Sequence, residues 1–73
     1  MKRNNVHQTS FGKFIFGAGN EVALMSGGDL FTGLLTSKGV ENCKEVGKRR
    51  ISKERETEIC EMMTKAHREV IGK

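Results

Sequence analysis

The chain has no tryptophan, no tyrosine and no proline, and its aromatic content rests on four phenylalanines. All of them fall between Phe11 and Phe31, so the bulkiest apolar mass lies in the first half. In a chain of 73 residues this suffices for one thin core in one small domain, marginal in stability unless a partner or a second copy supports it. Long hydrophobic runs are lacking too, and none approaches the ~20 residues of a membrane-spanning helix. Lys2 and Arg3 would suit the start of a secretory signal, but polar residues follow, and the run Phe14-Ile15-Phe16 is too short for its core. Cysteine is limited to Cys43 and Cys60. The expectation is a soluble cytoplasmic protein with reduced thiols and no membrane contact.

Motifs of catalysis and cofactor binding fail at their defining positions. Gly17 and Gly19 begin a dinucleotide loop, but Val22 stands where its third glycine belongs, and the chain is too short for the βαβ unit around it. The stretch Gly28–Gly33 has the glycine spacing of a phosphate loop, but Leu34 and Leu35 replace the required lysine and hydroxyl residue. Cys60 and His67 lie on one helical face two turns apart, ~10.5 Å by helix rise, too far to chelate one zinc. Cys43 and His7 add no C-x-x-C or H-x-x-x-H spacing. The expectation is no enzyme, no cofactor and no metal.

What is present divides the chain into a few elements. Residues 1–10 are polar and aperiodic and are expected to form a flexible N-terminal arm. Residues 11–73 are expected to form a single small α+β domain. Its first element is a β-hairpin: Phe11–Phe16 and Glu21–Ser26 flank the turn signal Gly17-Ala18-Gly19-Asn20. Phe14 and Phe16 then share a face, with Val22 and Leu24 opposite them. Asn20–Gly28 is similar to the leader of double-glycine secreted peptides, yet the highly charged remainder does not resemble their mature part. A short apolar helix is expected next, with Asp29 as N-cap, Leu30, Phe31, Leu34 and Leu35 at helical spacing, and Gly39 as its stop. Gly33 within it costs about 1 kcal/mol relative to alanine.

The last element is a long amphipathic helix over 53–71. Ile59, Met62, Met63, Ala66 and Val70 form its apolar stripe, Ser52 caps it, and Glu61→Lys65 and Glu69→Lys73 are favourable pairs. The stripe is read as core packing, with a protein interface as the alternative. It holds only about two heptads of a coiled-coil seam, so a homo-oligomer is an option and not a requirement. Val40, Cys43 and Gly47 also follow helical spacing. Two helices broken near 47–52 are preferred to one helix over 40–71, which would run ~48 Å.

Charge is the sharpest functional signal. Lys44, Lys48, Arg49, Arg50, Lys53 and Arg55 meet only Glu45 and Glu54 within 44–55, a surplus equal to the chain's whole net charge of +4. Lys53 and Arg55 would stand in a helix's first turn, where cations oppose the macrodipole. The fold does not profit from them, so an external partner is expected to. The reading is a small basic regulator, adaptor or inhibitor that binds a larger protein through this segment and the C-terminal helix. The alternative is nucleic-acid binding through phosphate contacts of the same residues, against which stands the absence of any stacking aromatic in the segment.

Overall fold

The computed structural model describes residues 5–72. Strands β1 (Val6–Thr9), β2 (Gly12–Phe16), β3 (Glu21–Ser26), β4 (Asp29–Thr36) and β5 (Gly39–Glu45) precede one helix, α1 (Lys53–Ile71). The strands pair in chain order, each antiparallel to the next, as one five-stranded sheet. The class is α+β: a meander covered on one face by a helix.

Tight turns make the meander. Thr9-Ser10-Phe11-Gly12 and Thr36-Ser37-Lys38-Gly39 are the same device used twice. In the first, the Thr9 hydroxyl accepts the Phe11 N–H at 3.1 Å and donates to the Gly12 carbonyl at 2.7 Å. In the second, Thr36 accepts the Lys38 N–H at 3.1 Å and donates to the Gly39 carbonyl at 3.1 Å. Each turn ends on a glycine at positive φ, 132° at Gly12 and 130° at Gly39, a region that side chains rarely adopt. Between them, Gly27 and Gly28 (φ 57° and 90°) close β3 on β4 with both central residues left-handed, as the twist of a two-residue hairpin prefers.

Several sequence expectations are met here and others are corrected. The β2–β3 hairpin forms over the expected turn, with Phe14 opposite Leu24 and Phe16 opposite Val22. Helix α1 has the expected bounds, and the Ser52 hydroxyl accepts the Arg55 N–H at 3.0 Å. The short apolar helix does not form: residues 29–36 are strand β4, and Asp29 pairs with Ser26 instead of capping. Residues 39–45 are strand β5, so the break at 46–52 separates a strand from a helix, and a single helix over 40–71 is excluded. Residues 6–9 of the expected arm pair with β2 as strand β1; residues 1–4 lie outside the described residues.

A bulge explains the misleading spacing in β5. The register with β4 passes from Thr32↔Lys44 to Leu34↔Glu41, so Asn42 and Cys43 both oppose Gly33. Asn42 takes φ 55°, the left-handed region that asparagine tolerates better than most residues. A side chain at Gly33 would meet Val40 Cγ1 at 2.7 Å, so glycine lets the two strands close here.

The core lies between the sheet and α1. Phe14, Val22, Leu24, Phe31, Val40 and Cys43 face Ile59, Met63 and Ala66, all buried. Full burial of each large apolar side chain contributes about 1.5–3 kcal/mol. Polar ties fix the helix at both edges of the sheet. Thr64 Oγ1 accepts the Val40 N–H at 3.0 Å, and the Glu69 carboxylate accepts the Ser10 N–H at 2.8 Å. His67 packs its ring against Phe14 and Phe16.

Candidate functional site

The β5–α1 connection and its flanks carry the cations. Lys44 projects from β5 on the face away from the helix, since its partner Thr32 lies there between inward-facing Phe31 and Gly33. Lys48, Arg49 and Arg50 occupy the exposed connection, and Lys53 begins the helix, also exposed. Val46 donates its N–H to the Leu30 carbonyl at 2.8 Å and Lys48 donates to the Glu45 carbonyl at 3.1 Å, so the connection starts from a fixed point. Ile51 anchors its far end by packing on the core.

Arg55 differs from the rest. Its guanidinium lies 3.6 Å from Glu45 and 3.2 Å from Glu58, and 5.5 Å from the centre of the Phe31 ring. Glu45 is only 9% exposed, and a carboxylate so shielded needs a cation beside it. Arg55 therefore closes the end of the core, so the fold itself has a use for this cation. Glu54 and Glu56 in the first turn offset the dipole conflict. Lys44, Lys48, Arg49, Arg50 and Lys53 form no ion pair among the described residues.

The apolar stripe of α1 is spent on the core. Ile59, Met63 and Ala66 are fully buried, and Met62 and Val70 are half-buried against the same cluster. Apart from Ile71 at its C-terminal end, the exposed positions of α1 are polar: Lys53, Glu54, Thr57, Glu58, Glu61, Lys65 and Arg68. The sequence reading missed a different surface, the outward face of the sheet, where Ile15, Ala23 and Leu34 belong to the lining of a concavity of about 770 Å³ that extends past the β5 bulge to Ile51 and to Glu56 of α1. Its signal was hidden because both faces of β2, β3 and β4 carry apolar residues.

The two thiols lie near each other. Cys43 and Cys60 are both free, Cys43 buried and Cys60 half-buried, and the Cys43 thiol donates to the Val40 carbonyl at 4.0 Å. Burial pushes the Cys43 thiol above its ordinary value of 9.0, reinforced by Cys60 and by the negative Glu56. The folded chain thus keeps a proton that the unfolded chain sheds above that value. Its contribution to stability is complete below the ordinary value and is lost as pH rises beyond it, by about 1.4 kcal/mol per pH unit. Between about pH 8 and about pH 10, urea unfolding of the wild type should lose about 1.4 kcal/mol more than that of Cys43→Ala. Equal losses in both proteins would show that Cys43 is not shielded as described.

No group of three or more His, Cys, Asp or Glu side chains among the described residues could hold a metal ion. No helix among them is long and apolar enough to cross a membrane. Comparison with protein-family models, curated proteins and solved structures finds no match for this chain.

Proposed function

We propose that this protein works by binding and not by catalysis, as an adaptor, regulator or inhibitor of a larger protein that presents an acidic surface. The observation that carries this reading is the cluster Lys44, Lys48, Arg49, Arg50 and Lys53, exposed around one connection and engaged in no ion pair among the described residues. Unpaired charge of one sign attracts an opposite surface, speeds encounter and fixes register. An acidic protein suits this cluster better than a nucleic acid does. Phe14 and Phe31 are buried in the core and Phe16 packs on it, so no aromatic platform stands beside the cations to stack a base. Glu54 is exposed close by, and it would repel a continuous phosphate backbone.

The test compares two charge variants in affinity capture from the native host. Arg49→Glu/Arg50→Glu should lose the captured partner, and Lys65→Glu on the outward face of α1 should keep it. Equal capture by all three proteins removes the basic segment from the interface. A fluorescent single-stranded DNA or RNA oligomer serves as the second arm. Tight binding with a steep loss on adding salt would transfer the function to nucleic acid and overturn the protein-partner reading.

A further inference from the structure

The sheet has a second face that α1 does not cover. Register places Val6, Ile15, Ala23, Thr32 and Lys44 in one row across it, and Gln8, Lys13, Met25 and Leu30 in the next. Glu21, Leu34 and Glu41 form a third row on the other side of the first. Val6, Ile15, Ala23, Met25, Leu30 and Leu34 make the centre of this face apolar. Val6 is 39% exposed and Met25 49%, and the others are half-buried. An antiparallel sheet that keeps one face in water normally carries polar side chains on it. A contiguous apolar face rimmed by charge marks an interaction surface.

The rim says what covers it. Glu21 and Glu41 lie at one end of the strands, Lys13 lies at the other, and Lys44 stands between Glu41 and the basic connection. One end of the face is therefore acidic and the other basic. A two-fold axis running across the strands turns one copy over against another and sets the basic end of each on the acidic end of its mate. Such an isologous contact uses the same patch twice and closes on itself. Two sheets packed this way lie ~10 Å apart with strands nearly aligned, and the apolar side chains fill the space between.

From this we infer that the uncovered sheet face is a homodimer interface, with a second copy of this chain as its occupant. The inference does not rest on the proposed function, because it is argued from the outward face alone, on which Lys44 is the one residue taken from the basic cluster. It extends that function: the dimer carries a basic connection at each end and offers an acidic partner two sites. Avidity would then follow from geometry without any new contact.

The experiment uses the full chain and reads mass in solution by light scattering at rising concentration. The wild type should approach twice the chain mass, and Ile15→Glu should return it to the single-chain mass with an unchanged helical signal. Two further variants identify the occupant. Glu21→Lys/Glu41→Lys makes both ends basic, Lys13→Glu makes both ends acidic, and all three side chains are exposed in the single chain. Each variant alone should be a monomer, and an equimolar mixture should dimerise. A wild type that stays monomeric at its highest soluble concentration overturns the proposal. So does a dimer that survives Ile15→Glu, or a mixture that stays monomeric.

Discussion

Gly12→Ala is expected to leave the chain largely unfolded. Gly12 sits at φ 132°, where a side chain is strained whatever surrounds it. Its hypothetical Cβ also points into the backbone of the next strand, against the Met25 carbonyl oxygen and 3.1 Å from Ser26 Cα. Backbone in a paired strand does not rotate aside as a side chain would. Relief requires that β2 and β3 separate at Lys13↔Met25 or that the Thr9 turn rearranges. Strain and lost pairing together belong to the rare class of substitutions costing more than about 4 kcal/mol. A domain of this size has only about 4–11 kcal/mol to lose, at 0.05–0.15 kcal/mol per residue.

Gly39→Ala is the control, because it shares the turn sequence and the φ. There the added carbon meets Thr64 Oγ1 at 2.8 Å and Cγ2 at 2.9 Å, which are side-chain atoms. Thr64 can turn away at the loss of its bond to the Val40 N–H, about 1 kcal/mol, in addition to the strain common to both glycines. Circular dichroism with urea titration should rank wild type above Gly39→Ala above Gly12→Ala. A Gly12→Ala protein within about 0.5 kcal/mol of wild type would refute the turn geometry described.

The two Thr-Ser-x-Gly turns also show how much of this fold was legible. Their repetition is visible in the letters, and their chemistry follows from a threonine hydroxyl and a glycine three residues on. It was overlooked because Leu30, Phe31, Leu34 and Leu35 satisfy helical spacing equally well. In β4 the inward positions are Phe31, Gly33 and Leu35, and the outward ones include Leu30 and Leu34. A central strand with apolar residues on both faces loses its period of two, and spacing alone does not separate it from a buried helix. In β5 the bulge at Asn42 sets Val40 and Cys43 three residues apart on one face, which imitates a helix turn. The β2–β3 hairpin was legible because the turn residues Gly17-Ala18-Gly19-Asn20 separate two short apolar runs, and α1 because it has one wet face. At the candidate site, the exposure of the connection followed from its charge. The capture of Arg55 by Glu45 did not, because that pair forms only once β5 and α1 dock.

Phe14→Ala should be the most damaging of the side-chain truncations in β2. Phe14 is completely buried, beside Leu24 on β3, which in turn pairs with Phe31 on β4. Its ring meets Phe16 at 5.2 Å and His67 at 5.8 Å between centroids, so it joins the sheet to the last turns of α1. Truncation removes that burial and leaves a cavity that the paired backbone cannot collapse, at about 3–5 kcal/mol. Ile15, the next residue, faces outward. Ile15→Ala should cost the single chain far less, and its cost should grow with protein concentration as the dimer supplies more of the wild-type stability. Unfolding at several concentrations separates the two effects: the Phe14→Ala deficit should stay constant, and the Ile15→Ala deficit should widen. Deficits that remain parallel would leave the outward face without a role in stability, and a larger deficit for Ile15→Ala at low concentration would invert the assignment of the two faces.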